Sequence, residues 1–112
     1  MKNIRFRCWI ENDGEKLFGP GPAQLLKLIE REGSIAAAAK QMNMSYKKAW
    51  DMINHLNKTL HEPVVVSQKG GSKGGGASLT NKGKSIINAF DALNLKLQAT
   101  LEENQEILTL LK

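Results

Sequence analysis

The sequence predicts an α+β fold: a short hairpin, three helical segments, a second hairpin and a long closing helix. Three observations lead there. Apolar residues near the N-terminus alternate with period two ahead of a turn signal. Two helix-forming segments, each opened by a serine, follow one another within residues 34–60. A β-branched run and a glycine-rich stretch then lead into an amphipathic segment over residues 80–111.

Ile4, Phe6, Cys8 and Ile10 share one face of the N-terminal stretch, and Arg5, Arg7 and Trp9 the other, so residues 4–10 read as a strand. Asn12-Asp13-Gly14 is a turn, because these residues tolerate positive φ, and residues 15–18 return as the second strand. Gly19-Pro20-Gly21-Pro22 breaks the hairpin. Pro22 suits a first helical turn, where no N–H is required, Leu25, Leu26, Leu28 and Ile29 supply an apolar face, and Gly33 stops the helix. Ser34 caps a short alanine-rich helix reaching Gln41, and Met42-Asn43-Met44 interrupts it. Ser45 caps a longer helix from Tyr46 to Leu60, whose stripe Ala49, Ile53, Leu56 and Leu60 faces the core, and Pro63 ends it. Val64-Val65-Val66 reads as a strand. Residues 67–78 carry five glycines and two lysines without apolar bulk, and residues 77–79 pair back to close a hairpin over 64–79. Thr80 caps a final helix running to about Leu111, with Ile86, Phe90, Leu93, Leu97, Leu101, Leu108 and Leu111 apolar. That stripe outruns what a core of this size covers, so residues 80–111 are expected to join a second copy in a homodimer.

At 112 residues the chain is expected to be one domain. Only 5% of residues are aromatic, so Leu, Ile, Val, Ala and Met must build the core. Cys8 is the only cysteine, which excludes an intrachain disulfide and a cysteine-based zinc site. No apolar run is long enough to span a membrane, and the N-terminus carries Arg5 and Arg7 where a secretory signal would be apolar, so the expected compartment is the cytoplasm. Gly83-Lys84-Ser85 resembles the end of a phosphate-binding loop, but that motif requires glycine where Ser78 stands. His55 and His61, six residues apart, do not share a helix face, and nothing marks a base beside Cys8. No enzymatic activity and no cofactor are expected.

Charge is concentrated in the middle of the chain. The total is +5, from 16 basic and 11 acidic residues. Residues 1–33 carry 6 basic and 5 acidic groups, residues 34–84 carry 8 and 2, and residues 85–112 carry 2 and 4. The central third thus holds +6 between a near-neutral head and an acidic tail, the distribution of a single basic face for a polyanion. Within it, residues 34–60 form a capped short helix, a tight turn and a capped second helix, a helix-turn-helix pattern. Alanines in the first helix let the second cross it closely. The exposed first turn of the second helix carries Ser45, Tyr46, Lys47 and Lys48, suited to a DNA major groove. A basic glycine-rich hairpin directly afterwards is the order of a winged helix. The rival reading is a protein-interaction module in which the lysines only solubilise, and the salt dependence of duplex binding separates the two.

The segments GSIAAAAKQMNMSYKKAW (33–50), Leu56-Asn57 and KGGSKGGGASLTNKG (69–83) closely resemble the N-terminal DNA-binding domain of ModE-type molybdate-responsive regulators, and more distantly the LysR-type helix-turn-helix. The likeness spans nearly the whole chain. It implies a winged helix-turn-helix, a homodimer through the C-terminal helix and binding of double-stranded DNA at a palindromic operator. By position in the motif, Tyr46, Lys47, Trp50 and Asn54 fall on the groove side, with Trp50 equally able to pack beneath the helix. Lys69, Ser72 and Lys73 are the expected phosphate contacts of the wing, and Ser34 and Ser45 open helix N-termini that favour phosphate oxygens. ModE-type regulators sense molybdate in a separate C-terminal domain, whereas this sequence ends at Lys112. The expectation is therefore DNA binding without a tight molybdate site in this chain.

Overall fold

The computed structural model describes residues 1–68 and 76–112. Strands β1 (Ile10–Asn12) and β2 (Glu15–Phe18) form the first hairpin, and helices α1 (Pro20–Glu32), α2 (Ile35–Gln41) and α3 (Tyr46–Leu60) follow. Strands β3 (Val65–Gln68) and β4 (Gly76–Leu79) form the second hairpin, after which come α4 (Asn81–Glu103) and α5 (Glu106–Leu110). The order is that of the winged helix expected above.

The first hairpin turns on two residues, Asp13 at φ 51° and Gly14 at φ 85°, so that Asn12 faces Glu15. Positive φ at both central positions gives the turn whose twist matches paired strands. The expected strand over residues 4–10 is corrected here: pairing starts only at Ile10, opposite Phe18. Gly19 begins the approach to α1 immediately afterwards, so residues 4–9 have no partner backbone. They run instead toward α4, where Phe6 and Cys8 line a shallow recess with Leu97. Ile4 and Cys8 are half-buried while Phe6 and Ile10 stay exposed. A side chain at Gly19 would meet Trp9 Cβ at 2.9 Å, so the helix start and this segment touch backbone to backbone.

Helix α1 begins at Pro20, two residues before the expected Pro22. Both prolines lie in its first turn, and each removes an N–H that the helix start would otherwise leave without a partner. Leu25, Leu26 and Ile29 are completely enclosed, and Gly33, at φ 77°, closes the helix by donating its N–H to the Ile29 carbonyl. Serine caps then open both following helices. Ser34 Oγ accepts from Ala37 N and Ser45 Oγ from Lys48 N, each at 3.0 Å. Asn43, at φ 55°, makes the turn between α2 and α3. Ala38, Ala39 and Ala49 are buried between these helices, where their small side chains permit a close crossing.

Tertiary hydrogen bonds fasten the second hairpin to this unit. The Asn57 side chain accepts from Val64 N at 2.7 Å and donates to the Val65 carbonyl at 3.3 Å. Thr80 accepts from Gly83 N through its hydroxyl, donates that hydroxyl to the Pro63 carbonyl at 2.7 Å, and donates its own N–H to the Val64 carbonyl. Ala77 N donates to the Gly33 carbonyl at 2.9 Å, tying β4 to the end of α1. Phe18 and Phe90 meet edge to face at 5.1 Å, joining the first hairpin to α4. No polar or charged side chain is buried among the described residues.

The expected continuous helix over 80–111 is also corrected. Asn104 and Gln105 donate their side-chain amides to the carbonyls of Thr100 and Leu101, the acceptors that the next backbone N–H groups of the helix would use. The helix stops at Glu103, and α5 starts afresh at Glu106. Helix α4 projects from the rest of the molecule: the radius of gyration is 17.2 Å, against about 13 Å for a rounded domain of this length.

Candidate nucleic-acid interface

Helix α3 buries Ala49, Ile53 and Leu56 and turns a different face outward. Tyr46 and Trp50 lie one turn apart on that face, 55% and 46% exposed, and Asn54, half-buried, continues the line one turn further on. This answers the question about Trp50: its indole is at the surface, not beneath the helix. Tyr46, Lys47, Trp50 and Asp51 border one shallow depression. Ser45, Lys47, Lys48, Asp51, Met52 and His55 border another. Both lie at the exposed start of α3.

Each cap leaves a donor available. The Ser34 and Ser45 oxygens accept backbone N–H groups, so each hydroxyl hydrogen is free to point at an anion beside a helix N-terminus. Lys48 makes no ion pair among the described residues, whereas Lys47 Nζ lies 3.0 Å from Asp51 Oδ2. Sequence reasoning passed over Asp51, although its spacing of four from Lys47 on one helix is the signal for such a pair. The carboxylate pairs with one of the two first-turn cations and places an acceptor on the same face.

The structure brings Ser45, Tyr46, Lys47, Lys48, Trp50 and Asn54 together on α3, with Ser34 capping the neighbouring α2. Lys69, Ser72 and Lys73 lie outside the described residues. The strands that lead to them are in register, Val65 opposite Leu79 through Gln68 opposite Gly76. The outer end of this hairpin also carries a hydrogen bond from Gln68 to Ser78. Among the described residues there is no group of three or more His, Cys, Asp or Glu able to hold a metal ion, and no helix long and apolar enough to cross a membrane.

Residues 23–84 match the family described as bacterial regulatory helix-turn-helix protein, lysR family. The molybdenum transport protein ModE of Azotobacter vinelandii is 46% identical over 83 residues, covering 74% of this chain and 31% of the relative. The molybdenum-pterin-binding protein MopB of Rhodobacter capsulatus is 39% identical, covering 90% and 37%. The DNA-binding transcriptional dual regulator ModE of Escherichia coli K12 is 44% identical, covering 70% and 30%. The chain therefore spans about a third of the length of the curated relatives it matches. Among solved structures, ArgP from Mycobacterium tuberculosis aligns with a TM-score of 0.55 at 22% identity, covering 78% of this chain and 30% of its own, a likeness of fold.

Proposed function

Since the chain belongs to the bacterial regulatory helix-turn-helix proteins of the lysR family, with a helix-turn-helix of the ModE type, we propose that it regulates transcription by binding a palindromic operator as a homodimer. The observation that carries this reading is the outward face of α3. An exposed Tyr46 and Trp50, with Lys47 and Lys48 beside them, stand at the start of a helix whose opposite face is fully engaged in the core. Exposed aromatic and cationic side chains at that place suit contacts to thymine methyls, base edges and the flanking phosphates. In this mechanism α3 enters the major groove, Tyr46, Trp50 and Asn54 face the bases, Lys47 at the groove edge serves both a base and a phosphate, and Ser34, Ser45 and Lys48 hold the backbone. Lys69, Ser72 and Lys73 reach the neighbouring phosphates from the wing. Two copies related by a twofold axis, joined through α4, read two half-sites. Molybdenum stands in the names of two relatives, and we assign genes of molybdenum handling as the setting of the operator.

Selection of bound sequences from random duplex, with and without molybdate, tests the reading. A recovered inverted repeat bound more tightly than its scrambled version supports it. Lys69→Ala and Lys73→Ala should each weaken all duplexes alike and lower the slope of log affinity against log salt by about 1.8 per dimer. If no sequence is enriched and no lysine variant alters affinity or salt slope, the basic face serves only solvation and the interaction-module reading replaces this one.

A further inference from the structure

Asp51 stands at the crest of α3. The buried residues of the helix are Ala49, Ile53 and Leu56, and the residues two places before each, Lys47, Asp51 and Asn54, fall about 200° further round, on its outer line. Lys47 and Asp51 border both surface depressions at the start of the helix, with Tyr46 and Trp50 on one side and Lys48 and His55 on the other. The pair is thus the ridge between them. We infer that Lys47 and Asp51 together read one C·G base pair in each half-site: Asp51 accepts from the cytosine amino group and Lys47 donates to the guanine. This inference rests on the operator reading above and gives that site its base preference at one position.

A carboxylate at this place tolerates few surroundings. Asp51 is the only acid of α3, and residues 34–84 hold just one other, Glu62, against eight lysines. Glu62 lies past the helix, 3.7 Å from Lys82. A helix that enters the major groove by its first turns brings Asp51 to the floor of the groove, between two rows of phosphates. There the carboxylate is repelled unless a base donates to it. The floor offers two kinds of donor, the amino groups on cytosine N4 and adenine N6, while guanine and thymine present acceptors. Adenine also turns its N7 lone pair toward a carboxylate beside its amino group, whereas cytosine has a C–H there. Cytosine is the base that fits.

Lys47 completes the pattern. Its Nζ lies 3.0 Å from Asp51 Oδ2, and Asp51 Oδ1 accepts no hydrogen bond among the described residues. In a C·G pair, cytosine N4 and guanine O6 are themselves joined by a hydrogen bond and stand about 2.9 Å apart. The spacing of acceptor and donor on the helix therefore matches the spacing of donor and acceptor on the base pair. With Asp51 on N4, Lys47 reaches O6 and the adjoining N7 of the guanine, two acceptors for one ammonium. An A·T pair also sets a donor beside an acceptor, but it puts the thymine methyl next to Lys47 and removes the second acceptor. Both side chains are exposed, 83% and 52%, so the pair adds little to folding and its outer atoms are open to a ligand.

The test compares sequence selection by the parent chain and by Asp51→Ala, a substitution that favours the helix. The parent should recover an inverted repeat with a C·G pair at a fixed position in each half-site. Asp51→Ala should recover the same repeat with that position alone degenerate. Two base analogues then probe single atoms of the parent's selected duplex by fluorescence anisotropy. Replacing that cytosine with a pyrimidinone lacking the amino group should weaken the parent about tenfold more per half-site than it weakens Asp51→Ala. Replacing its guanine with a deaza analogue lacking N7 should weaken the parent and leave Lys47→Ala unaffected. If Asp51→Ala keeps the full preference at every position, Asp51 reads no base, its pair with Lys47 is a surface ion pair only, and the operator reading stands. An inverted repeat without a C·G pair in its half-sites overturns the inference in the same way. If the parent enriches no sequence, the operator reading itself falls and this inference with it.

Discussion

Replacing Asp51 with Asn separates the charge of α3, the helix proposed to face DNA, from its shape. Lys47 and Asp51 are 83% and 52% exposed, and their contact is an i,i+4 pair at 3.0 Å. Such pairs stabilise by about 0.3–0.5 kcal/mol, so the Tm of Asp51→Asn should stay within about 4 °C of the parent. The effect on DNA is larger. Losing the carboxylate releases Lys47 to neutralise one phosphate per half-site, which steepens the slope of log affinity against log salt by about 0.9, or 1.8 for two half-sites. Between about 50 and 200 mM salt, 0.6 of a log unit, the variant should lose affinity about twelvefold more than the parent does. It should bind scrambled duplex more tightly at the lower concentration. Fluorescence anisotropy on a labelled scrambled duplex at four salt concentrations measures this directly. An unchanged slope with intact folding would mean that Lys47 does not stand near the phosphate backbone, and its assignment as a phosphate contact would fall.

The remaining expectations concern base reading, packing and ligand range. Asn54→Ala should lose roughly 1–3 kcal/mol on the selected duplex and much less on a scrambled one. Lys48→Ala should weaken both, and equal losses from Asn54→Ala would show that Asn54 does not read bases. Gly83→Ala sets a methyl against the Val64 carbonyl oxygen, which accepts from Thr80 N and lies between two peptides held by the Asn57 amide, so neither side can yield. Overpacking of about 1–3 kcal/mol exceeds the roughly 1 kcal/mol gain in helix propensity, and thermal melting should show Tm lower by about 5–10 °C. Calorimetry of this chain with molybdate, without DNA, should give no saturable micromolar signal, because tight oxyanion binding needs several donors converging in a closed pocket. A saturating isotherm would contradict that.

Much of the architecture was legible because it is decided within a few residues of chain. Asp13-Gly14 takes positive φ wherever it sits between two strands, Gly33 ends α1 by its own left-handed backbone, and Ser34 and Ser45 cap the helices that follow them. The alanines of α2 announce a close crossing, and the spacing of Ala49, Ile53 and Leu56 marks the inner face of α3. The amides of Asn104 and Gln105, which end α4, are equally local, and the regular leucine spacing across them masked that signal. The candidate interface was legible to the level of a helix: basic first turn, capped start, inner stripe.

What the chain could not decide locally was everything that depends on a distant neighbour. Residues 4–10 alternate like a strand, yet a strand needs a partner, and α1 begins directly after Phe18, opposite Ile10. Trp50 stands three residues before Ile53, at the edge of the buried stripe, so helical periodicity admits it to either side. Only the placement of α1 and α2 against the other face of α3 sends its indole outward. Gly83 and Asn57 read as an ordinary helix glycine and an ordinary helix amide. Their roles arise because α3 and α4 bring them against the backbone of Val64, and contact between segments is a property of the folded chain alone.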